Sequence, residues 1–187
     1  DLLVDEMPAV HVREQMGEES FWNTHGSMYR FAAPNRRAGR GRTLQRLVLD
    51  ELREHKNRDT YNAAVNAGNA VSGFQAIAIT NQGDATSVVL DELRDSALEY
   101  IETGAGDPRL GLLEWSAPNG CEVTDPQALA MANPNLGRRV DLDALVGQAM
   151  QAKRAGGETL AGFKTEVLCM RVTLLDPAID PDRWAAC

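Results

Sequence analysis

The chain has 187 residues, of which 43% are hydrophobic and 25% are charged, a composition typical of one globular domain with or without a small appendage. Its formal net charge of −8 excludes a protein that coats nucleic acid by bulk attraction, so any DNA contact would need a local basic patch. Three widely spaced cysteines without a CxxC pair argue against a disulfide scaffold or a zinc site. The sequence has no signal-peptide pattern and no long apolar run, which predicts a cytoplasmic protein.

The first 43 residues contain patterns for three local structures. Residues 1–16 have a helical pattern, in which Pro8 marks a start or a kink. Residues 19–32 contain two β-rich runs around His25 and Gly26, which predicts a hairpin. Residues 33–43 form a loop rich in glycine and arginine, and this loop is the basic patch of the chain.

The middle of the chain alternates short apolar runs with helical patterns. Such runs, bounded by polar turns, predict strands covered on both faces, here at 45–50, 74–80 and 110–116. Helices are predicted between them, at about 57–68 and at 86–103. Strands that alternate with helices predict an α/β fold with a mainly parallel sheet.

The sequence pattern of the last third of the chain predicts mainly helices. Residues 117–139 contain proline, asparagine and glycine turns around a short helix, and two further helices are predicted at 141–154 and 158–171. We expect these residues to form a small helical subdomain beside the sheet.

Two polar pairs follow the first two predicted strands. Asp50 and Glu51 come directly after an apolar run, and Thr80 and Asn81 follow the next strand. Ligands of parallel sheets bind beyond the carboxyl ends of the strands, so we expect these four residues near a bound molecule. An apolar strand that ends in two acids is the Walker B pattern of nucleotide hydrolases, and the alternative is a strand end with solvated acids.

Several segments, in the same order, resemble the ATPase domain of large terminase subunits, the DNA-packaging motors of tailed phages. The resemblance covers nearly the whole chain. It rests on "NTHGSMYRFAAPNRRAGRGRTLQRLVLDELREHK" (23–56), "AIAITNQGDATSVVLDELR" (76–94), "LLEWSAPNGCEVTDPQALAMANPNLG" (112–137), "GFKTEVLCMRV" (162–172) and "DPDRWAAC" (180–187).

The resemblance implies a fold and a division of the chain. The fold would be a partial three-layer P-loop NTPase-like sheet of the ASCE/RecA type, flanked by helices. Residues 1–116 would be the C-terminal part of the ATPase core, 117–172 a lid subdomain, and 173–187 a linker toward a nuclease domain. The sequence contains no GxxxxGK[ST] motif, so we expect a fragment that has no appreciable ATPase activity alone.

The resemblance also implies roles for individual residues. Asp50 would hold Mg²⁺ and Glu51 would activate water. Thr80 and Asn81 would sense the γ-phosphate of ATP, and the alternative for these two residues is a polar turn that closes the strand. Arg40, with Arg42 as the fallback, would be donated to the ATP of a neighbouring subunit. For the arginine loop as a whole, a DNA-phosphate contact or a solvated loop are the alternatives.

The partners implied are ATP, double-stranded DNA, a portal protein and a small terminase subunit. The resemblance further implies a homo-oligomeric ring in the cytoplasm of a bacterial host, at the portal vertex of the procapsid. The alternative is a non-catalytic α/β module that keeps the motor fold and docks to a portal, to DNA or to other subunits. The intact pair Asp50 and Glu51 favours the motor, and the missing P-loop motif favours the module.

Overall fold

The computed structural model describes residues 11–17, 19–33 and 43–172, which form a mixed α/β structure. They divide into two compact units. The first comprises the described residues up to Leu47 together with Asp59–Gln75, and the second comprises Val48–Arg58 and the described residues from Ala76 onward. None of the helices in the described ranges is long and apolar enough to cross a membrane.

The first unit contains a three-stranded antiparallel sheet. Strand β1 spans His11–Arg13, β2 spans Ser20–Trp22 and β3 spans Met28–Arg30, with β2 in the middle. The predicted hairpin is therefore confirmed. The predicted helix over residues 1–16 is wrong at β1, whose residues pair with β2, and residues 1–10 lie outside the described ranges.

The hairpin turn is closed by two backbone hydrogen bonds and by the side chain of Asn23. The Asn23 side-chain oxygen accepts hydrogen bonds from the backbone of His25 and of Ser27, each at 3.0 Å. Gly26 takes a φ of 78°, which favours glycine at this position. The predicted turn around His25 and Gly26 is thus stabilised by an asparagine side chain that adds its own hydrogen bonds to those of the backbone.

Helix α1 spans Arg58–Asn66, within the predicted range of 57–68. The chain then turns back within the first unit, and a Cβ placed at Gly68 would lie 2.2 Å from the ring of Phe74. The close approach of this ring requires glycine at residue 68.

Strands β4 and β5 form a two-stranded parallel sheet. Strand β4 spans Arg46–Asp50 and β5 spans Gln75–Ile79, so both predicted strands are confirmed in position. Their predicted burial on both faces is wrong, since all five residues of β5 are exposed and β4 alternates between exposed and half-buried residues. The sheet has only two strands in the described part of the chain, and its apolar side chains therefore have few neighbours to bury them.

The third predicted strand, 110–116, is not a strand. Its residues run without ladder partners among the described residues, and Leu113 and Trp115 are exposed. Side-chain contacts hold the segment instead, because Arg94 donates to both carboxylate oxygens of Glu114, at 2.7 and 3.0 Å. The predicted three-layer parallel sheet is accordingly not confirmed.

Helix α2 spans Val88–Thr103 and ends at Gly104, as predicted. Its buried side chains are Val89 and Ala97, and the helix contacts a short 3₁₀ turn, Leu52–Glu54, that follows β4. Leu52 is the buried residue of that turn. This contact fixes the chain just after β4.

The remaining helices are α3 (Pro126–Ala132), α4 (Leu142–Ala155) and α5 (Gly157–Glu166). Asp125 and Asp141 cap α3 and α4 by accepting hydrogen bonds from backbone N–H groups, at 3.0 and 2.9 Å. The predicted helices in this region are confirmed, although α5 ends before residue 171. Their apolar faces share one core, which comprises Ala117, Val123, Ala128, Leu129, Ala132, Leu145, Ala149, Ala152, Phe163 and Leu168.

Two contacts tie the ends of this helical segment together. The Ala117 backbone N–H donates to the carbonyl oxygen of Leu168 at 2.9 Å. The Asn133 side-chain amide donates to the carbonyl oxygens of Leu129 and Val167, at 2.9 and 3.0 Å. Asn133 therefore links the end of α3 to the residue that follows α5.

Candidate functional site

Strand β4 delivers two adjacent acids with different backbone conformations. Asp50 is the last strand residue, whereas Glu51 takes the left-handed conformation with φ 51° and ψ 52°. The Glu51 backbone N–H donates to the Asp50 carboxylate at 3.1 Å, which supports this turn. A non-glycine residue in the left-handed region costs on the order of 1 kcal/mol or more and is often found at functional sites. The turn separates the two carboxylates, one on the strand and one at the start of the 3₁₀ turn.

The Arg53 side chain lies among three glutamates, Glu51, Glu54 and Glu166, and the longest of these contacts joins its Nε to Glu54 Oε1 at 3.7 Å. Its Nη1 donates to Glu166 Oε1, and its Nε lies 2.9 Å from Glu51 Oε2. The Nε–H is not directed at an acceptor, although the atom is buried. Arg53 and Glu51 therefore form a close ion pair without an aligned hydrogen bond, because hydrogen bonds weaken steeply when the donor is misaligned.

The end of β5 joins the same cluster. The Thr80 hydroxyl oxygen accepts the Arg53 backbone N–H at 3.2 Å and donates to the Asn81 carbonyl oxygen at 2.8 Å. The Asn81 side-chain amide donates to Glu166 Oε2 at 2.9 Å. Both predicted residues at the end of β5 are thus connected to the turn after β4.

The charges of the cluster stabilise each other. Burial alone would raise the pKa of Glu166, but hydrogen bonds from Asn81 and Arg53 and the positive charge of Arg53 hold it below its ordinary value. Burial alone would lower the pKa of Arg53, but Glu166 and the nearby acids raise it. Glu166 therefore remains an anion, and Arg53 a cation, under neutral conditions.

A tight turn follows Asn81. A Cβ placed at Gly83 would lie 1.9 Å from Ser87 Oγ and 3.2 Å from Arg53 Cβ, and Ser87 is buried. Asp84 accepts hydrogen bonds from the hydroxyl and the backbone N–H of Thr86, each at 2.7 Å, and these bonds lower the pKa of Asp84. The packing of Ser87 against this turn leaves no room for a side chain at residue 83.

Four of the predicted site residues are thereby brought together: Asp50, Glu51, Thr80 and Asn81. Arg40 and the fallback Arg42 lie outside the described residues. Sequence reasoning missed Arg53 and Glu166. Arg53 was detectable as a cation within three residues of the acids, but Glu166 is 113 residues farther along the chain and has no local signal.

The acids of this cluster could hold a metal ion only together with other ligands. Among the described ranges, no group of three or more His, Cys, Asp or Glu side chains is arranged to hold a metal ion. Magnesium bound with a nucleotide needs only one or two protein carboxylates, since phosphates and water supply the other ligands. Asp50, an exposed carboxylate at the carboxyl end of β4, fits that requirement. His55, which is buried, has no second histidine beside it in sequence.

The chain is similar to a curated protein and to a solved structure. The chain is 28% identical over 153 residues to Protein YmfN of Escherichia coli (strain K12), a match that covers 81% of this chain and 33% of the relative. Its fold is similar to that in the crystal structure of the HK97 bacteriophage large terminase, with a TM-score of 0.74 and 20% identity. That match covers all of this chain and 38% of the terminase, and no family model matches the chain. The chain has a terminase-like fold and spans about a third of the length of these proteins.

Proposed function

We propose that this chain is part of the ATP-hydrolysing motor of a large terminase, which moves double-stranded viral DNA into a procapsid. The observation that carries the proposal is the meeting of two strand ends. The acids Asp50 and Glu51 leave β4, the polar pair Thr80 and Asn81 leaves the parallel neighbour β5, and a hydrogen bond from Arg53 to Thr80 joins the two ends. The terminase-like fold supports the same reading.

The proposed chemistry is the transfer of a phosphoryl group from ATP to water. Asp50 would hold Mg²⁺, in part through water, and Mg²⁺ would offset charge on the phosphates. Glu51 would orient the attacking water and accept its proton. Thr80 and Asn81 would contact the γ-phosphate, and their bonds to Arg53 and Glu166 would pass its loss to the end of α5.

The finer fold and the assembly belong to the same proposal. The sheet would be the partial core of a three-layer P-loop NTPase-like fold, with a helical lid at 117–172 and a linker at 173–187. The motor would be a homo-oligomeric ring at the portal vertex in the bacterial cytoplasm, in contact with the portal protein, the small terminase subunit and DNA. Arg40 would be supplied across a subunit interface to the neighbouring ATP.

The experiment uses the chain joined to a P-loop segment, because the sequence itself has no GxxxxGK[ST] motif. Glu51→Gln should retain ATP binding while hydrolysis falls by on the order of 10² or more, the scale for losing a positioned base. Asp50→Ala should instead weaken binding of Mg-ATP. Glu102→Gln, which changes an exposed acid on α2, is the matched control and should hydrolyse ATP at the parental rate.

The same assay addresses the trans arginine and the alternative function. Arg40→Ala should lose the hydrolysis that depends on assembly, and mixing it with Glu51→Gln subunits should restore some activity, since a mixed ring contains interfaces with both residues intact. Parental hydrolysis by Glu51→Gln would refute the motor assignment. Nucleotide-independent docking to a portal or to DNA would then favour the non-catalytic module.

A further inference from the structure

Arg53 lies where three segments of the second unit meet. Its backbone N–H contacts Thr80 after β5, its Nη1 contacts Glu166 at the end of α5, and its Nε lies 2.9 Å from the carboxylate of Glu51. The Arg53 side chain is 19% exposed, whereas those of Glu51 and Glu166 are 50% and 48% exposed. The two carboxylates are therefore more exposed than the arginine side chain that they contact, and the carboxylate of Glu54 lies farther away, at 3.7 Å from Nε.

The Nε of Arg53 is poised for an acceptor. The atom is buried and has no aligned hydrogen-bond partner, an arrangement that is unfavourable for a charged donor. The nearest carboxylate is that of Glu51, whose half-exposed side chain can rotate. A small rotation of Glu51 would align Oε2 with the Nε–H, so Arg53 offers this carboxylate a defined position.

Glu166 and the turn after β5 prevent Arg53 from swinging away. Both carboxylate oxygens of Glu166 are used, one by Arg53 and one by Asn81. At the other end of the side chain, the Arg53 backbone N–H donates to the Thr80 hydroxyl oxygen at 3.2 Å, which ties the residue to the end of β5. Arg53 is thus restrained at its backbone and at its guanidinium.

We propose that Arg53 is a positioning residue for the Glu51 carboxylate and that Glu166, at the end of α5, holds Arg53 in place. This inference rests on the proposed function, in which Glu51 activates water. An exposed glutamate has three free side-chain torsions. A catalytic carboxylate that is displaced by about 1 Å can lower the reaction rate by a factor on the order of 10². Arg53 acts through Glu51 and has no assigned contact with the nucleotide.

The test measures kcat and KM for ATP in the chain joined to a P-loop segment, together with affinity for a non-hydrolysable ATP analogue. Arg53→Gln should lower kcat about tenfold, a fraction of the loss expected for full misplacement, while KM and analogue affinity change by less than about twofold. Arg53→Lys should lose most of the same activity, since one ammonium cannot replace a fork that reaches two carboxylates. Glu166→Gln keeps the shape of its side chain and should lower kcat about threefold.

Each variant is also made in the Glu51→Gln background. Substitution of a residue that acts through Glu51 should cause no further loss of kcat in that background. Substitution of a residue that supports the fold in general should lower kcat by the same factor in both backgrounds. The matched control is the Arg94 and Glu114 pair, an arginine–glutamate contact in the same unit that lies outside the candidate site. Arg94→Gln and Glu114→Gln should leave kcat at the parental value.

The outcomes separate the two proposals. Equal losses from Arg53→Gln in both backgrounds, or an unchanged kcat in the parental background, would refute the positioning role while the proposed function stands. A parental rate for Glu51→Gln would refute the proposed function and the positioning role with it. If Arg53→Gln does not fold, as judged by circular dichroism, Glu166→Gln decides the question by the same comparison.

Discussion

Replacing Gly83 with alanine should destabilise the chain, although the substitution adds only one methyl group. The new Cβ would lie 1.9 Å from the Oγ of Ser87 and 2.4 Å from its Cβ, far inside ordinary contact. Ser87 is only 3% exposed and stands at the start of α2, so it cannot simply rotate into solvent. Either α2 or the turn after β5 has to shift.

The expected size follows from two opposing effects. Overpacking of a well-packed site costs about 1–3 kcal/mol. Alanine also restricts the unfolded chain more than glycine does, which stabilises the folded state by about 0.4–1 kcal/mol. The net loss should be on the order of 1–2 kcal/mol, and a chain of this length should show a midpoint about 2–8 °C lower in thermal unfolding.

Circular dichroism during thermal and urea unfolding measures this loss. The control is Gly147→Ala in α4, where a new Cβ meets nothing within 4 Å. That substitution should stabilise the chain by about 0.5–1 kcal/mol, because alanine is the better helix former. The double variant Gly83→Ala with Ser87→Gly removes both clashing atoms and should recover most of the lost stability, since a cap glycine costs only a few tenths of a kcal/mol.

Two results would refute this reasoning. Parental stability of Gly83→Ala would mean that the turn yields without cost. An additive double variant, in which Ser87→Gly restores nothing, would mean that the loss arises elsewhere than at the contact between the two residues.

Two further predictions concern a helix cap and acid sensitivity. Asp141→Ala should lower the free energy of unfolding in urea by about 1 kcal/mol, because it removes the acceptor for the Ala144 backbone N–H. Asp143→Ala, in the same first turn, should cost less. Equal losses would contradict the capping role. The lowered pKa of Glu166 should contribute stability that is fully present above the ordinary carboxyl value of 4.5 and is lost as the pH falls through the lowered value. Glu166→Gln should therefore make the free energy of unfolding depend less on pH in that acid range. An unchanged dependence on pH would contradict this prediction.

The elements that could be predicted are those with strong local signals. Asp50 and Glu51 follow an apolar run, and Thr80 and Asn81 follow another, so the residues themselves predicted the strand ends that the structure places together. The caps and apolar faces of the helices made the helical third of the chain predictable in the same way.

The predictions that were wrong or incomplete concern residues whose contact partners lie far away in the sequence, because local sequence patterns do not specify such partners. The run at 110–116 has the composition of a strand, but a strand also needs a ladder partner, and the described structure ties this segment by Glu114 to Arg94 instead. Strands β4 and β5 have the apolar residues of buried strands, yet burial depends on neighbours elsewhere in the sheet. Glu166 enters the site from the end of α5, a contact that no spacing in the sequence predicts.

The hydrogen bond between Ala117 and Leu168 has a consequence for how this kind of chain can vary in length. The segment between them departs and returns at nearly one point, since the first residue donates directly to a carbonyl near the last. Insertions or deletions within such an excursion leave the positions of its two attachment points unchanged, which is why grafts are tolerated best where two ends lie close together. Length changes in the turns of this excursion are therefore expected to leave the strand ends that carry Asp50 and Thr80 in place, whereas changes at the end of α5 would displace Glu166 from Arg53.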